Sequence, residues 1–443
     1  MNFDRLREQI LERAIQGKLV PQLESEPGVA QITGRPKEPP FAIPEKWKWA
    51  QLKNVGKIVG GGTPKTNIAE YWENGQILWF TPSDLGKVRG LYAETSARKI
   101  TLSGLQSSAA TMMPKGTVLF SSRAPIGHIA LAPAECCTNQ GCKSFVANSS
   151  YILPLWAYWV LVNRKDDIIS RASGTTFKEI SLKGMSETWI PLPSIQEQQR
   201  IIDKIQRLFR FVDLAEVNFR DLQLLSRILH RRTLQLAIQG KLVPQLESEP
   251  EVSQVGKMPE DALFNIPSKW KWMSLGNVLI QISDGSHNPP PNSGQGIPVL
   301  SAKNINNGII DTQAITRWTT QEQWLVEDKK IHIESGDVLL TIIGSIGRTA
   351  VVPDNAPKFM LQRSVCIMRT KVFLCSEFLA LILTSPALLE WMTNRASGTA
   401  QKGIYLKKLK TMPLPIPPLP EQLRIVKKLK EIFSIMPLQH FVD

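Results

Sequence analysis

The longest periodic stretch of the chain runs from residue 196 to residue 239 and contains neither proline nor glycine. Apolar residues recur in it at alternating steps of four and three, which is the heptad pattern of a helix that packs along a partner helix. Gly240 and Pro244 follow, as is typical of a helix C-terminus. We therefore predict one helix of about 65 Å, with a seam formed by Ile201, Ile205, Leu208, Val212, Ala215, Phe219 and Leu222.

A repeat divides the chain into two copies of one unit. Residues 14–27 and 237–250 carry the same fourteen letters, AIQGKLVPQLESEP, at an offset of 223 (237 − 14). The pairs IPEKWKW and IPSKWKW, RASGTTFKEISLK and RASGTAQKGIYLK, and PLPSIQEQQRI and PIPPLPEQLRI follow in the same order. Between these shared segments the copies diverge, since GGGTPKT stands in one and SDGSHNPPP in the other. The pattern indicates one architecture that presents two different surfaces.

Short apolar runs broken by glycine and proline predict strands in both copies, among them TVLFSS and HIALA in the first and DVLLTII and TAVVP in the second. Helices are expected at residues 155–171 and 376–396. The predicted fold class is α+β, with two mixed domains separated by long antiparallel coiled-coil helices and a pseudo-twofold, circular internal repeat. The predicted segments are an N-terminal helix (1–20), an exposed linker (21–43), a first domain (44–195), the central helix (196–240), an exposed linker (241–266), a second domain (267–418) and a C-terminal helix (419–443).

The repeat also predicts what pairs with the central helix. Residues 1–16 match its distal half, and residues 421–436 match its proximal half. By pseudo-symmetry the N-terminal and C-terminal helices would together form a return strut, antiparallel to the central helix. Pro437 limits the last helix, so this strut is expected to be the shorter one. The alternative is that these are ordinary amphipathic helices packed on separate domains.

The net charge of +14 is spread along the chain and favours a polyanionic partner, although an ordinary basic protein remains possible. The longest apolar run, residues 152–162, is too short to span a membrane, and the charged N-terminus does not indicate export. The odd number of cysteines, at irregular spacing, indicates a reducing cytoplasm rather than a disulfide framework. These cysteines are Cys136, Cys137, Cys142, Cys366 and Cys375.

The chain resembles the specificity subunit of type I restriction-modification systems over nearly its whole length. The resemblance rests on the order of GGGTPKTNIAEYWENGQILWFTPSDL, PKGTVLFSSRAPIGHIALAP and TNQGCKSF in the first copy, and of SDGSHNPPP, GIPVLSAKNINNG and SGDVLLTIIGSIGRTAVV in the second. It implies that each variable region is a target recognition domain for one half of a split, asymmetric site in double-stranded DNA. It also implies that the paired helices set the distance between the half-sites and bind two methyltransferase subunits.

Restriction (endonuclease and translocase) subunits are a further partner that the resemblance implies. It implies no cofactor on this chain: S-adenosylmethionine, ATP and magnesium are expected on the partner subunits. No membrane partner is expected. No Ser-His-Asp order or pair of carboxylates indicates catalysis, so the chain is predicted to be a non-catalytic subunit.

Loops that follow equivalent strand-like runs carry the side chains that suit base edges in the major groove, arginine for guanine and asparagine or glutamine for adenine. One pair of such loops contains Ser121, Ser122, Arg123, Ser345 and Arg348, and another contains Asn139, Gln140, Lys143, Gln362 and Arg363. The nearly identical RASGTTFK and RASGTAQK loops cannot distinguish two half-sites, so Lys178 and Lys402 are assigned to phosphate contact, or to structure. The remaining predicted DNA contacts are Thr63, Lys65, Thr66, Asp284, Ser286, His287, Lys303 and Asn304.

Three motifs suggest other chemistry without meeting its requirements. The segment GGGTPKT lacks the spacing of a phosphate-binding loop, and Pro64 removes a backbone donor; a DNA-touching loop and a structural turn both remain possible. Residues 288–290 read NPP but are followed by Pro291, not by the aromatic residue that would stack on a flipped base. Cys136, Cys137 and Cys142 lack the spacing of a zinc site, so free thiols are expected.

Two alternatives stay open. The chain could be a fragment or subunit of a related self-contained restriction-methylation enzyme, which an adjacent methyltransferase domain would reveal. It could also be a structural or carbohydrate-binding tandem-repeat protein, which would lack salt-dependent DNA binding. Trp47, Trp49, Trp270 and Trp272, which alternate with lysines, are expected to pack in the cores of the two domains.

Overall fold

The computed structural model describes residues 2–29, 32–123, 125–174, 178–306, 308–398 and 401–436. The chain forms two compact units, Met1–Asn218 (unit 1) and Phe219–Asp443 (unit 2), and each combines helices with small sheets. This agrees with the predicted α+β class. Three parts of the sequence predictions lie outside the described residues: the end of the C-terminal helix (437–443) and residues 175–177 and 399–400 of the two RASGT loops.

Unit 1 contains a four-stranded sheet in the order β2-β8-β5-β6, a three-stranded sheet in the order β4-β3-β7, and the pair β1-β9. Strands β3 and β7 are parallel, whereas the other pairs are antiparallel. The strands are β1 (Lys48–Gln51), β2 (Gly56–Gly60), β3 (Ile77–Phe80), β4 (Arg98–Ile100), β5 (Val118–Phe120), β6 (Ile129–Leu131), β7 (Cys136–Thr138), β8 (Lys143–Ala147) and β9 (Trp189–Leu192).

The helices of unit 1 begin at residues that suit a helix N-terminus. Asn2, Thr81 and Ser181 accept backbone N–H groups of the first turns that follow them, and Pro154 is the first residue of its helix. The helices are α1 (Phe3–Ile15), α2 (Leu52–Val55), α3 (Pro82–Leu85), α4 (Leu102–Gln106), α5 (Pro154–Asn163), α6 (Lys165–Ser170), α7 (Leu182–Ser186) and α8 (Ile195–Ile238), with a short 3-10 turn at Ala69–Tyr71. Helix α8 continues past Asn218 into unit 2.

Unit 2 repeats this sheet plan. Its four-stranded sheet has the order β11-β19-β16-β17, its three-stranded sheet the order β15-β12-β18, and β10 pairs with β20 as β1 pairs with β9. The hairpin β13-β14 is an addition. The strands are β10 (Lys271–Ser274), β11 (Leu279–Asp284), β12 (Ile297–Leu300), β13 (Ile305–Asn306), β14 (Ile309–Ile310), β15 (Trp318–Thr319), β16 (Val338–Thr341), β17 (Thr349–Val351), β18 (Met360–Leu361), β19 (Val365–Thr370) and β20 (Pro413–Ile416).

The helices of unit 2 follow the same order as those of unit 1. The helix predicted at residues 376–396 is interrupted before Pro386, just as the one predicted at 155–171 is interrupted at Arg164. The helices are α9 (Gln321–Asp328), α10 (Ser376–Leu383), α11 (Pro386–Arg395), α12 (Leu406–Leu409) and α13 (Leu419–Ser434), with 3-10 turns at Leu275–Asn277 and Ala302–Asn304. No described helix is both long and apolar enough to cross a membrane.

Each unit has a main core in which large aromatic side chains are buried. Trp47 packs edge-on against Trp156 in unit 1 with their ring centroids 5.8 Å apart. Trp270 is 2% exposed in the matching core of unit 2. Trp49 and Trp272, each 5% exposed, pack against Phe41 and Phe264 respectively. The prediction that these tryptophans belong to the cores is therefore confirmed.

Helix α8 is a single helix of 44 residues, which begins one residue before the predicted segment 196–240 and ends two residues before the end of that segment. Only part of the predicted apolar seam of α8 is buried. Ile201, Ile205 and Val212 are buried, whereas Ala215 and Leu222 are exposed. Apolar positions near the two ends of α8 therefore belong to the cores of the two units, and those near its middle do not.

Within unit 1, α1 runs antiparallel to the first half of α8. The Arg7 guanidinium lies 2.6 Å from an oxygen of Asp213 and 2.7 Å from one of Glu216. Further along the chain, Gln22 reaches Glu197, near the start of α8. The contacts move from Arg7 to Gln22 in the first segment while they move from Asp213 back to Glu197 in α8. The two segments therefore run antiparallel.

Within unit 2, α13 and the second half of α8 have the same relationship. The ring of Phe433, at the end of α13, stacks on His230 with a centroid distance of 4.0 Å. At the start of α13, Glu421 accepts a hydrogen bond from Gln245, which lies seven residues beyond the end of α8 (245 − 238). Burial among apolar groups lowers the pKa of His230.

The two linkers are loops with many exposed residues, and each is also attached to a helix by an ion pair. Arg200 forms a two-pronged ion pair with Glu26 of the first linker, and Arg424 does the same with Glu249 of the second. The side chain of Glu249 is only 7% exposed. Many other linker residues are exposed, so the composition predicted their accessibility but not these attachments.

Candidate nucleic-acid interface

Four loops meet at one edge of unit 1, and we call them edge loops. They comprise residues 60–66 after β2, 81–87 after β3, 121–123 and 125–128 between β5 and β6, and 139–141 after β7. Backbone hydrogen bonds of 2.8 to 2.9 Å join them, from Gly62 to Thr138, from Asn139 to Phe80 and from Ser122 to Gly141. The loops therefore form one continuous surface.

Unit 2 builds the same edge from residues 284–288, 301–304, 341–348 and 361–364. Ser286 donates from its backbone N–H to Leu361 O at 2.8 Å, and Gln362 donates to Leu300 O at 2.9 Å. These bonds match those of Gly62 and Asn139 in unit 1. The edge loops are thus equivalent in the two units, although their sequences differ.

A glycine at each edge is required by close packing within the chain. A Cβ atom on Gly61 would lie 1.9 Å from the carbonyl oxygen of Asn139, and one on Gly285 would lie 2.4 Å from that of Gln362. No side chain fits at such distances. The close approach that these glycines permit is therefore between two edge loops of the same unit.

Three predicted DNA contacts are wrong, because their side chains are buried. Ser121 and Ser122 are both fully buried; the Ser121 hydroxyl donates to Pro125 O and accepts the N–H of His128. Asn304 is 4% exposed and caps a turn by accepting the N–H of Ser301 at 3.0 Å. The hydrogen bonds of Ser121 and Asn304 hold their loops in shape.

Other predicted contacts have side chains that are already engaged. Lys143 forms a 3.1 Å ion pair with Glu179, and the Lys143 side chain is 12% exposed. Arg348 donates to Asn306 Oδ1 at 2.7 Å. The His287 Nε2 atom lies 2.7 Å from Asp284 Oδ2. Each group would have to give up or share a partner in order to reach DNA.

Apart from Lys143 and the three buried residues, the predicted contacts lie at the surface, and these include the engaged residues Asp284, His287 and Arg348. Exposed residues among them are Lys65, Thr66, Arg123, Gln140, Lys178, His287, Lys303, Ser345, Arg363 and Lys402, and half-buried ones are Thr63, Asn139, Asp284, Ser286, Arg348 and Gln362. Lys178 and Lys402 belong to the shared RASGT loops. The others belong to the edge loops, so the structure brings residues from distant parts of the sequence to one edge in each unit.

The structure also refines which positions correspond. Gln140 and Arg363 are equivalent, since each is the second residue after a strand that runs parallel to its neighbour. Arg348 corresponds to His128, because the backbone N–H of each donates to the hydroxyl at the end of the preceding strand, Thr341 or Ser121. The sequence suggested that Arg123 and Arg348 occupy equivalent positions. The hydrogen bonds show instead that they do not.

Sequence reasoning missed Lys87 and His128. Both line an open cleft of about 630 Å³ in the edge of unit 1, together with Arg123, Asn139 and Gln140. Lys87 follows a turn in which Thr81 and Asp84 cap each other reciprocally. The spacing of a threonine and an aspartate directly after a strand was a signal for that turn.

Comparison with known proteins identifies the family of the chain. The profile of the type I restriction modification DNA specificity domain matches residues 44–219 and 267–439. The chain belongs to this family, and it contains the domain twice. Among solved structures, the HsdS subunit of Thermoanaerobacter tengcongensis is similar in fold, with a TM-score of 0.57 and 21% identity over 90% of this chain and 91% of that one.

Specificity subunits are also among the similar curated proteins. That of the type I restriction enzyme MjaIX of Methanocaldococcus jannaschii is 30% identical over 271 residues, 60% of each chain. That of EcoBI from Escherichia coli is 24% identical over 296 residues, 66% of this chain and 61% of the relative. The matched part thus spans about 60% of the length of these relatives.

Proposed function

We propose that this chain is a non-catalytic DNA-binding specificity subunit of a type I restriction-modification complex. In this proposal each unit reads one half of a split, asymmetric site in double-stranded DNA. The observation that supports it best is the equivalence of the edge loops: Gln140 and His128 in unit 1 stand where Arg363 and Arg348 stand in unit 2. One scaffold with two sets of base-reading side chains suits two unlike half-sites.

Phosphate contacts would position both units on the duplex without reading sequence. Lys178 and Lys402 suit this role, because they are exposed and belong to nearly identical loops. The charge of +14 favours the same polyanion. Binding is therefore expected to weaken steeply as salt concentration rises.

Methyltransferase subunits, two per chain, would bind to the helices. In unit 1, the α8 residues Leu214 and Val217 are 57% and 51% exposed. At about 100° per residue they lie on the side of α8 opposite its buried seam. In unit 2, Leu224, Leu225 and Ile228 are similarly exposed. Apolar side chains on the outer side of a helix suit a protein partner.

The antiparallel pairs α1–α8 and α8–α13 support the further proposal of a circular arrangement, in which α1 and α13 form the return strut. Restriction subunits would join the complex, and S-adenosylmethionine, ATP and magnesium would bind to partner subunits. The free cysteines, four of them buried, suit a cytoplasmic location.

In the decisive experiment, the chain is expressed with its methyltransferase subunit, and methylated sites are mapped genome-wide by single-molecule sequencing. The expected result is one bipartite, asymmetric motif with a fixed spacer, and a purified complex whose DNA affinity falls with salt. A continuous motif, or methylation that is independent of this chain, would contradict the proposal. DNA binding that is absent at low salt would favour a structural or carbohydrate-binding repeat protein instead.

A further inference from the structure

Three acceptor side chains in or beside the cleft in the edge of unit 1, those of Asp84, Asn139 and Gln140, already accept hydrogen bonds within the protein. The Asp84 carboxylate accepts the backbone N–H of Thr81 at 2.9 Å, the Thr81 hydroxyl at 2.7 Å and the N–H of Ala97 at 3.1 Å. Asp84 is 7% exposed. The carboxylate therefore shapes the rim without presenting an acceptor to a ligand.

The two amides that line the cleft are oriented in the same way. Asn139 Oδ1 accepts the N–H of Gly141 at 3.0 Å, and Gln140 Oε1 accepts the hydroxyl of Thr63. In both side chains the oxygen is engaged and the NH₂ group is the part left for a ligand. Lys87 and Arg123, both exposed, add cationic donors to the same lining.

This donor-rich lining distinguishes between purines. In the major groove guanine presents two acceptors, N7 and O6, whereas adenine presents one acceptor and one donor. Bidentate recognition of adenine by an amide needs the amide oxygen as an acceptor, and in both Asn139 and Gln140 one of the two lone pairs of that oxygen already accepts a hydrogen bond within the protein. Lysine and arginine suit the two acceptors of guanine.

We infer that the cleft of unit 1 reads a guanine in its half-site, with Lys87 and Arg123 as the donors and the Thr63–Gln140 hydrogen bond as the element that rejects adenine. This rests on the proposed function and adds a base and named residues to it. Lys87 thereby becomes a specificity-determining residue.

The test uses the purified complex with methyltransferase subunits and duplexes that carry its mapped target. The half-site of unit 1 is the one left unchanged by Arg363→Ala in unit 2. Each guanine of that half-site is replaced in turn by 7-deazaguanine, which still pairs with cytosine but lacks the N7 acceptor. We expect one replacement to weaken binding by about tenfold in the wild-type complex.

The same replacement is expected to have no further effect in the variant Lys87→Ala/Arg123→Ala, since a lost contact cannot be lost twice. Lys115→Ala is the matched control: Lys115 is exposed but precedes β5, whereas the cleft lies after that strand. Its sensitivity to 7-deazaguanine should equal that of the wild type. A half-site without guanine, or a full tenfold effect in the double variant, would overturn the inference.

Thr63→Val tests the rejection of adenine separately. Without the Thr63 hydroxyl, Gln140 Oε1 can accept a hydrogen bond from the amino group of adenine. We expect the preference for guanine over adenine at that position to fall about tenfold, while the other half-site is read as before. An unchanged preference would overturn the role of the Thr63–Gln140 bond. If the proposed function itself were wrong, even the wild-type complex would lack a bipartite target, so the two failures are distinguishable.

Discussion

Trp47 and Glu197, which are 150 residues apart in the chain, meet in a buried hydrogen bond of 2.9 Å from indole Nε1 to carboxylate Oε2. Trp270 and Glu421 repeat it at the same distance in unit 2. Gln22 and Gln245 donate to the second oxygens of the two carboxylates. In each unit this group joins the residue that precedes the first strand, the linker and a helix, and we call it the helix latch.

Removing the indole N–H from a latch is expected to destabilise its unit. In Trp47→Phe the Oε2 atom of Glu197 loses its partner while the carboxylate stays buried, at a cost of about 1–3 kcal/mol. Thermal or denaturant unfolding of the purified chain measures this. Trp49→Phe is the control, since it shortens a buried ring that donates no described hydrogen bond to a carboxylate. Equal losses in the two variants would show that ring volume, not the hydrogen bond, matters.

The latches also predict a dependence of stability on pH. Desolvation raises the pKa of Glu197 and Glu421 above 4.5, although hydrogen bonds from the tryptophan and the glutamine oppose it. Between the ordinary and the raised value the folded chain binds more protons than the unfolded chain. The contribution of these two groups to stability therefore falls as pH rises through this window, and is constant above it.

Glu197→Gln/Glu421→Gln removes both titrations while keeping polar groups at both sites. We expect the difference in melting temperature between variant and wild type to increase in favour of the variant from pH 4.5 upwards, and then to level off. Melting curves at half-unit pH steps measure it. A difference that is constant over the whole range would contradict the raised pKa values.

The sequence predicted the helix α8 to within two residues, because a long periodic segment ended by Gly240 leaves little freedom. It did not predict the latches, since Trp47 and Glu197 meet only through folding. The repeat did contain a signal: both residues recur at equivalent places, as Trp270 and Glu421. A polar residue that recurs in both copies was therefore a candidate for a buried contact.

The edge loops illustrate the limit of sequence reasoning. Their location was predicted from the strand-like runs, yet Ser121, Ser122 and Asn304 point inwards, and loops have no periodicity that reveals this. Lys87 and His128 were missed because the cleft is formed by loops that are distant in sequence. The strand-like runs located the edge loops, whereas the identity of the side chains that face outwards required coordinates.

Arg363 is expected to read a base in the second half-site. It is exposed, and its backbone N–H donates to Ser286 O at 3.0 Å, which fixes it within the edge of unit 2. Arg363→Ala should relax one position of that half-site at a cost of about 1–3 kcal/mol. Mapping methylated sites measures this. Lys402→Ala is the contrast: it should weaken binding to all sequences and leave the motif unchanged, and an unaltered motif in both variants would remove Arg363 from base reading.

The exposed apolar residues of α8 predict where partner subunits bind. Leu225→Glu places a charge on a position that is 62% exposed in the free chain, so it should leave folding intact and weaken binding of a methyltransferase subunit by at least tenfold. Analytical gel filtration and calorimetry measure both. Val372→Glu, at a position that is 93% exposed outside the helices, is the matched control. If Leu225→Glu bound the methyltransferase subunit as strongly as the wild type does, the subunit would not dock on this part of α8.

Helix α8 is expected to determine the spacer of the target. Deletion of residues 216–222 removes one heptad, which shortens the helix by about 10 Å and turns its two ends relative to each other by only about 20°. These residues are exposed or half-buried and lie outside the main cores of both units, so each unit should still fold. Since base pairs are about 3.4 Å apart, the spacer should shorten by up to about three base pairs while both half-sites stay the same.

Sequencing of methylated sites measures the length of the spacer directly. Altered half-sites with the original spacer would contradict a role for α8 as the ruler, because the edge loops lie outside the deleted segment.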